Sequence, residues 1–378
     1  MKIIFISLIS HYTSGLLYQD NCFSNVLVNK GNEVTVISDA QCFEDGILKF
    51  TKPCDYIDNY GVRLIRVPYL ISNFIGSKFK LFKSIYGYLE EIKPDVIYCH
   101  SPQYISVLDI VKYKNKHPDV KVYADTHTTF MNAKNSKLIF AFLYRIYYKM
   151  LYKILEPYLE KYFYVGTDAK DFSVQVYSAN EDIMEFLPLG GEEISNELYI
   201  EYRNEIRNKL NLKNDDIMLF HSGKLLKNKN TSWLVNSLEK LKNKKFKLVI
   251  AGSIPDENKE LKNIIENREN ITYVGWVDGN DLRKYLCACD IYCQPGTPSV
   301  TLQTAICCKA PIICYKYDFY HYLYDYNSIL WIEKENDIID HLNKILTNKN
   351  ILDDLKKYAD INSYELDTEY LLNKAIGV

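Results

Sequence analysis

The sequence lacks an excess of charge of either sign, a long uncharged apolar run and a paired cysteine spacing. Its formal net charge is -2 over 378 residues, so nucleic acid is not expected as a partner. Strand-like residues follow Met1 at once, and no apolar run could cross a bilayer, so we expect neither a signal peptide nor a membrane span. The ten cysteines do not show the spacing of a zinc site. These absences favour a reduced, cytoplasmic compartment in which cysteines act as small apolar residues.

The chain does contain a regular alternation of apolar runs and helical stretches. Residues 2–8 form an unbroken apolar run typical of a buried parallel strand, a helix is predicted over 16–29, and 33–37 is the next strand. Further strands are predicted at 62–67, 96–99, 120–124, 162–165 and 183–186, and then at 217–220, 246–251, 271–274, 290–293, 311–314 and 328–331. This pattern predicts an α/β protein with two doubly wound, Rossmann-like domains that face each other across a cleft.

A stretch containing proline and two glycines, residues 187–193, separates the two series of strands. We therefore predict an N-terminal domain at 1–189 and a C-terminal domain at 190–363. The last segment, 364–378, reads as a helix that crosses back onto the first domain.

The sequence from 290 to 306 is predicted to form a strand, a tight turn and a helix. Gly296 permits the turn, Thr297 is a suitable N-cap and Pro298 suits the first helical position. The amides of Ser299 and Val300 would then be free at the positive end of the helix dipole, where they favour a phosphate or diphosphate. The alternative is an ordinary capped helix.

Two lysines, Lys224 and Lys229, follow the predicted strand 217–220 and precede a helix. They are therefore expected at the carboxyl end of the second sheet, where cations could neutralise the charge of a departing nucleoside diphosphate. A solvated lysine loop is the alternative.

These segments together resemble the GT-B fold glycosyltransferases of glycosyltransferase family 4 (group 1). Gly223-Lys224-Leu225 followed by Lys229 is similar to the family's Gly-Arg-Leu and later Lys. Gly275-Trp276-Val277 resembles the loop that meets the donor base, which implies that role for Trp276 and Val277. The loop around Gly15 resembles the family's first loop, which implies a donor-side position for Gly15.

One departure from the family pattern concerns its two glutamates, which lie eight positions apart. No glutamate occurs between Asp290 and Pro311. Gln303 stands nearest the second glutamate, which binds the ribose hydroxyls in the family, and Pro295 stands at the first. An amide can still bind a ribose diol, because glutamine both donates and accepts hydrogen bonds. The sequence Pro-Gly-Thr-Pro-Ser resembles a variant found in some polysaccharide glycosyltransferases.

Asp125 and His127 follow the predicted strand 120–124 and resemble the family's acceptor-side motif. The resemblance implies that His127 contacts the transferred sugar and that Asp125 takes a proton from an acceptor hydroxyl. A helix cap beside a polar residue is the alternative. His100, after the strand at 96–99, is interpreted as structural.

The stretch 134–161 mixes large apolar and aromatic residues with the cations Lys134, Lys137, Arg145, Lys149 and Lys153. It fits a helix that lies in an anionic membrane interface. It fits equally a long helix packed on the sheet, with its lysines reaching water.

The resemblance implies a cytoplasmic glycosyltransferase, free or peripheral on the inner face of the membrane. The expected reaction moves a sugar from a nucleotide-sugar donor to a glycan or lipid-linked acceptor in cell-surface polysaccharide synthesis, with retention of configuration. We expect no cofactor beyond the nucleotide-sugar substrate, and no metal, since no Asp-x-Asp pair is expected at a strand end. The alternatives are a GT-B nucleotide-sugar epimerase and a non-catalytic two-domain sugar-binding protein.

Overall fold

The computed structural model describes residues 1–44, 47–133, 137–265, 268–348 and 350–377, with the backbone alone for 137–139. The chain folds into two α/β units: Met1–Pro188 with Leu372–Val378, and Leu189–Leu371. The division falls within the predicted hinge at 187–193. The sequence prediction assigned all of 364–378 to the first domain, whereas 364–371 pack with the second unit.

The first unit is built on one large sheet. Its strands are β1 (Lys2–Ser7), β2 (Glu33–Asp39), β3 (Gln41–Glu44), β4 (Ile47–Phe50), β5 (Cys54–Ile57), β6 (Arg63–Val67), β7 (Val96–Cys99), β8 (Lys121–Thr126), β9 (Lys161–Tyr164) and β10 (Met184–Phe186). Eight of them form a sheet in the order β10-β9-β8-β7-β1-β2-β6-β5, and β3 pairs with β4 in a hairpin. Every neighbour in the large sheet is parallel except β5, which is antiparallel to β6.

Helices cover both faces of such a sheet when its strands are apolar throughout, as β1 is. The helices of the first unit are α1 (Gln19–Asn29), α2 (Asn73–Phe79), α3 (Tyr86–Ile92), α4 (Val107–Lys116), α5 (Lys137–Phe142), α6 (Lys149–Leu155) and α7 (Thr167–Phe172), with π-helical turns at Leu143–Tyr148 and Ser173–Tyr177. Ile4 and Ile6 of β1 share one hydrophobic cluster with residues of α3, α4 and α6. These helices therefore cover one face of the sheet.

The second unit contains a six-stranded sheet in which all neighbouring strands are parallel. Its strands are β11 (Ile217–Ser222), β12 (Phe246–Ala251), β13 (Ile271–Gly275), β14 (Ile291–Gln294), β15 (Ile312–Tyr315) and β16 (Ile329–Ile332), in the order β13-β12-β11-β14-β15-β16. Its helices are α8 (Asn196–Lys209), α9 (Thr231–Leu241), α10 (Glu260–Ile265), α11 (Gly279–Ala288), α12 (Thr301–Cys307), α13 (Glu335–Thr347) and α14 (Asn350–Ser363), followed by α15 (Thr368–Ile376). The predicted α/β class with Rossmann-like sheets is confirmed.

The prediction missed three short strands, β3, β4 and β5. All four residues of β4 are exposed, and so are three of the four in β5. A strand without a buried face carries no apolar alternation, so periodicity could not detect it.

The stretch 134–161, interpreted from the sequence as a long helix, is helical without a break over 137–155 and contains a π-helical segment in its middle. Lys134 lies outside the described residues, and α5, a π-helical segment and α6 extend from 137 to 155. Tyr144 and Tyr148 turn into the hydrophobic cluster, while Phe142, Ile146 and Met150 are exposed. No helix in the described ranges is long and apolar enough to cross a membrane.

Candidate functional site

In the second unit, the loops that follow β11 and β14 are joined by hydrogen bonds. The Thr297 amide donates to the Asn228 carbonyl at 3.0 Å, and Asn230 Nδ2 donates to the Pro295 carbonyl at 3.0 Å. A Cβ atom on Gly296 would lie 2.2 Å from the Asn228 carbonyl oxygen. Glycine is therefore needed at 296 because another backbone approaches it, rather than only because the chain turns there.

Lys229 lies at the junction of these two loops and is half-buried. Its Nζ donates to the carbonyls of Thr297 at 2.9 Å and Pro298 at 3.0 Å. Burial lowers its pKa from 10.5 to about 8. Within the part of the chain that the structure describes, no carboxylate forms an ion pair with Lys229. A cation held only by neutral carbonyls leaves positive charge available to an anionic ligand.

The predicted start of the helix after this loop was wrong. α12 begins at Thr301, and Val300 rather than Thr297 occupies the N-cap position. Ser299 Oγ accepts from the Thr301 amide at 3.3 Å, and the Ser299 amide donates to Tyr320 Oη at 3.0 Å. The Ser299 amide is thus already bonded, contrary to the prediction.

The cause of the later start is the Thr297 carbonyl. Gln294 Nε2 donates to it at 3.0 Å, as does Lys229 Nζ at 2.9 Å. A carbonyl held by two side chains does not open a helix, so residues 297–300 remain a loop.

Gln303 lies in the first turn of the short helix α12 and is buried. Its Nε2 donates to Tyr322 Oη at 2.9 Å. Its Oε1 is also buried and has no hydrogen-bond partner in the described part of the chain. Gln303 therefore has one amide atom satisfied and one acceptor still available.

Sequence reasoning missed Tyr320 and Tyr322, which bond the Ser299 amide and the Gln303 side chain. Both lie in the tyrosine-rich run 315–326, immediately after β15. The signal was available, because β15 is the neighbour of β14 and its carboxyl end lies at the same edge of the sheet.

Three of the remaining donor-side residues belong to the second unit, and the fourth belongs to the first. Lys224 is exposed in the loop after β11. Trp276 follows β13, the edge strand two positions from β11, and is 55% exposed, while Val277 is half-buried. Gly15 belongs to the first unit, in the loop before α1, with φ +85°.

In the first unit, three side chains meet at the carboxyl ends of β7 and β8. His100 Nδ1 lies 3.1 Å from Asp125 Oδ2, and His127 Nε2 lies 3.4 Å from the same oxygen. The Ser101 amide donates to Asp125 Oδ1 at 2.9 Å. Asp125 is fully buried, whereas a quarter of the His127 side chain is exposed. His100, interpreted from the sequence as structural, thus shares its carboxylate with His127.

The charges of this cluster shift the pKa values of two members. Burial alone would raise the pKa of Asp125, but the charges and hydrogen bonds of His100 and His127 outweigh it and hold the pKa below its ordinary value. Burial alone would lower the pKa of His100, but Asp125 raises it to about 9. Asp125 is therefore ionised and His100 protonated near neutral pH.

The same three side chains have a spacing that could hold a metal ion, because their ligand atoms lie within 4.8 Å of one another. Two imidazoles and one carboxylate are a ligand set that zinc accepts. A hydrogen bond between His100 and the carboxylate, with His127 at ion-pair distance from the same oxygen, accounts for this spacing without a metal.

Comparison with known proteins agrees with this architecture. Residues 202–361 match the family described as "Glycosyl transferases group 1". No curated protein sequence matches the chain.

Solved structures similar to this chain extend over its full length. HepE from Anabaena in complex with UDP and glucose has a TM-score of 0.68 and 12% identity, covering 99% of this chain and 98% of its own. Sucrose-phosphate synthase from Thermosynechococcus elongatus has a TM-score of 0.68 and 14% identity, with coverages of 99% and 97%. WaaG, a glycosyltransferase involved in lipopolysaccharide biosynthesis, has a TM-score of 0.58 and 18% identity, and both chains are covered fully, at 100%.

The fold is therefore GT-B, as the sequence predicted. The match over 202–361 identifies the second unit as a group 1 glycosyltransferase domain, and the protein is a glycosyltransferase. This confirms the resemblance found in the sequence.

Proposed function

We propose that the protein transfers a sugar from a nucleotide-sugar donor to a glycan or lipid-linked acceptor in the synthesis of a cell-surface polysaccharide. The observation that carries the donor half is Lys229, a half-buried ammonium that donates to the carbonyl oxygens of Thr297 and Pro298. The similarity to HepE, whose structures hold UDP or UDP-glucose, supports the same donor class. The family match favours this reaction over an epimerase or a non-catalytic sugar-binding protein.

The donor diphosphate binds beside Lys229 and the loop 297–300, with exposed Lys224 as a second cation. Gln303 accepts a hydrogen bond from a ribose hydroxyl through its unpartnered Oε1. Trp276 and Val277 meet the base, a role consistent with the exposure of the indole ring. Gly15 supplies a side-chain-free position in the first loop.

On the acceptor side, His127 contacts the transferred sugar, and Asp125 orients the imidazole of His127. A buried carboxylate with a lowered pKa, already bonded to His100 and the Ser101 amide, is a poor proton acceptor. We therefore propose a positioning role for Asp125 in place of the role of base that the sequence suggested.

The departing diphosphate then takes the acceptor proton, and transfer proceeds with retention of configuration. The new glycosidic bond forms on the acceptor oxygen as the bond from the sugar to the diphosphate breaks. Lys229 stabilises the negative charge that develops on the leaving group.

The reaction uses no resident metal or cofactor. In the cluster of His100, Asp125 and His127, the protonated His100 is hydrogen-bonded to the buried carboxylate and balances its charge. Dialysis against a chelator is therefore expected to leave the transfer rate unchanged, and loss of activity that added zinc restores would contradict this.

The segment 137–155 docks on an anionic membrane, so that a lipid-linked acceptor reaches the first unit. Phe142, Ile146 and Met150 are exposed on it, beside the exposed guanidinium of Arg145. Lys149 is half-buried and bonded to Ser178, so it contributes less than the sequence implied. The side chain of Lys137 lies outside the described residues.

The decisive experiment measures nucleoside diphosphate affinity by calorimetry in the wild type, Lys229→Met and Lys229→Arg. Lys229→Met removes a charged hydrogen-bond donor and should weaken the binding free energy of the nucleoside diphosphate by ~1–3 kcal/mol. Lys229→Arg should retain part of the affinity.

The pKa of Lys229 is lowered to about 8, so its charge is present below that pH and is lost above it. Wild-type affinity should accordingly fall as the pH rises through about 8, and this decline should be absent in Lys229→Met. Equal affinity in all three proteins would refute the assignment.

A further inference from the structure

A second part of the first unit exposes apolar side chains that the proposed function does not use. Residues 70–75, between β6 and the first turn of α2, are all exposed. Four of them are large and apolar: Leu70 is 55% exposed, Ile71 44%, Phe74 69% and Ile75 44%. Single exposed apolar residues are ordinary, but four within six positions indicate a surface that contacts something else.

Along the sequence, the charges in the stretch that contains these residues have one sign. No aspartate or glutamate occurs between Asp58 and Glu90, a stretch that includes Lys78, Lys80 and Lys83. Lys78 and Lys83 are exposed, and Lys78 Nζ lies 3.7 Å from the centre of the Phe74 ring. Exposed apolar residues beside cations, without acids, complement an anionic lipid surface.

The position of this segment in the fold agrees with that of the candidate site. Residues 68–72 follow β6, and His127 follows β8. Both strands are parallel members of one sheet, so both loops emerge at its carboxyl edge. Phe130 and Met131, in the loop after His127, are exposed as well.

The two acid-free segments of the first unit also share a core. The stretch between Asp125 and Glu156 contains no aspartate or glutamate either. Tyr69 and Phe82, which flank α2, belong to the same hydrophobic cluster as Leu143 and Leu151 of the segment 137–155. Both segments are therefore parts of the helical layer on one face of the sheet.

We infer that residues 70–83 are a second lipid-contacting element, which inserts Leu70, Ile71, Phe74 and Ile75 into an anionic bilayer while Lys78 and Lys83 meet lipid headgroups. The inference rests on the proposed lipid-linked acceptor. With two contacts at different places on one layer, the first unit has a defined orientation on the membrane, and its carboxyl edge lies close to the headgroups.

A tryptophan probe tests the inserted position directly. The three tryptophans of the chain, Trp233, Trp276 and Trp331, all lie in the second unit. Phe74→Trp therefore adds the first such probe to the first unit, at an exposed position where the fold should tolerate it. With mixed phosphatidylcholine–phosphatidylglycerol vesicles carrying brominated acyl chains, the variant should lose fluorescence that the wild type keeps. Equal quenching in both proteins would overturn the insertion of residue 74.

Two double variants test whether the charges of Lys78 and Lys83 contribute to vesicle binding, and a folding control accompanies them. Lys78→Glu with Lys83→Glu should weaken binding to these vesicles by at least about fivefold for each lysine changed. Lys244→Glu with Lys259→Glu, two exposed lysines of the second unit, changes the net charge equally and should have little effect. Thermal unfolding of both double variants confirms that each is folded.

The outcomes separate this inference from the proposed function. Nucleoside diphosphate affinity without vesicles should be the same in the wild type and the Lys78/Lys83 variant, because neither lysine belongs to the donor site. If vesicle binding persists in that variant but is lost in variants of 137–155, the second element is refuted while the membrane proposal stands. If the wild type ignores anionic vesicles, both membrane proposals fail and the donor assignment remains.

Discussion

Buried polar atoms without partners define the chemistry at the scale of single residues. Gln303 Oε1 is one such atom, since it is buried and has no partner in the described ranges. Asp125 shows the opposite situation, because both of its carboxylate oxygens are already engaged. An unpartnered acceptor can receive a ligand at little cost, whereas an engaged carboxylate must first give up its partners.

The role of Gln303 can be separated from its structural contact. Gln303→Ala should weaken the binding of a ribonucleoside diphosphate by ~1 kcal/mol, the usual contribution of a neutral hydrogen bond. A 2′,3′-dideoxy analogue has no hydroxyl to donate and should bind the variant and the wild type alike. Calorimetry on both ligands measures the difference, with Tyr322→Phe as the control that removes only the internal partner of Gln303. Equal losses for both ligands would assign Gln303 to packing.

Asp125→Asn distinguishes a base from a positioning residue. A lost general base lowers turnover by roughly a hundredfold to ten-thousandfold. We expect a smaller loss than this, with donor affinity unchanged, because the amide still occupies the site but no longer carries the charge that holds His100 and His127. His100→Gln should produce a loss of similar size, since His100 bonds the same carboxylate. If turnover instead falls by about a hundredfold or more in Asp125→Asn but not in His100→Gln, Asp125 is the general base after all.

At the scale of elements, close packing between loops determines where the donor-side groups lie. The loop after β11 carries Lys229 and the loop after β14 carries Gly296, and their backbones are in contact. The loop after β11 forms only a single 3-10 turn at Lys227–Lys229, and the loop after β14 has no helical or strand geometry of its own to maintain this arrangement. The two parallel strands hold the loops side by side, and the glycine allows them to touch.

Two glycine substitutions should therefore have opposite effects. In Gly296→Ala, the new methyl group would lie 2.2 Å from the Asn228 carbonyl oxygen, so the loop must move. We expect a destabilisation of ~1–3 kcal/mol, typical of overpacking, together with weaker diphosphate binding because Lys229 is displaced. Gly87→Ala, in α3, meets nothing within 4 Å and should stabilise the helix by ~0.5–1 kcal/mol. Urea denaturation measures the free energy of unfolding of both variants. If Gly296→Ala is as stable as the wild type, the loops do not depend on this contact.

At the scale of the whole molecule, the distribution of charge matters more than its total. The net charge is -2, yet two stretches of the first unit contain five lysines and arginines each and no acid. Acidic residues elsewhere in the chain offset these cations, so the net charge does not reveal the two stretches. Exposed cations such as Lys78, Lys83 and Arg145 beside exposed apolar residues favour reversible membrane association without a spanning helix.

Arg145→Glu with Lys149→Glu should reduce co-sedimentation with anionic vesicles. Each cation near such a surface contributes ~1 kcal/mol, and binding should weaken further at high salt because the interaction is screened. Arg145 is expected to matter more, since Lys149 is half-buried and donates to Ser178 Oγ at 2.7 Å. The Lys244/Lys259 double variant again serves as the control. Binding of the Arg145/Lys149 variant at the wild-type level would leave 137–155 as a packed helical segment only.

Local patterns in the sequence determined the α/β class, most of the strands and the position of the candidate residues at strand ends. Runs such as 2–8 bury both faces of a strand, and the resulting apolar character can be read without knowing the partner strands. The parallel order then brings the ends of β7 and β8, and those of β11 and β14, to common edges.

Only the tertiary structure decided the contacts that join distant residues. The start of α12 depends on Lys229, which lies 68 positions before Thr297 along the chain and donates to its carbonyl. The Ser299 amide is bonded to Tyr320, which lies 21 positions away. The role of Asp125 depends on His100, 25 positions away on the neighbouring strand. A hydrogen bond requires placement within a few tenths of an ångström. Hydrophobic periodicity specifies only which face is buried, so it cannot supply that placement, and the packing of the loops determined it instead.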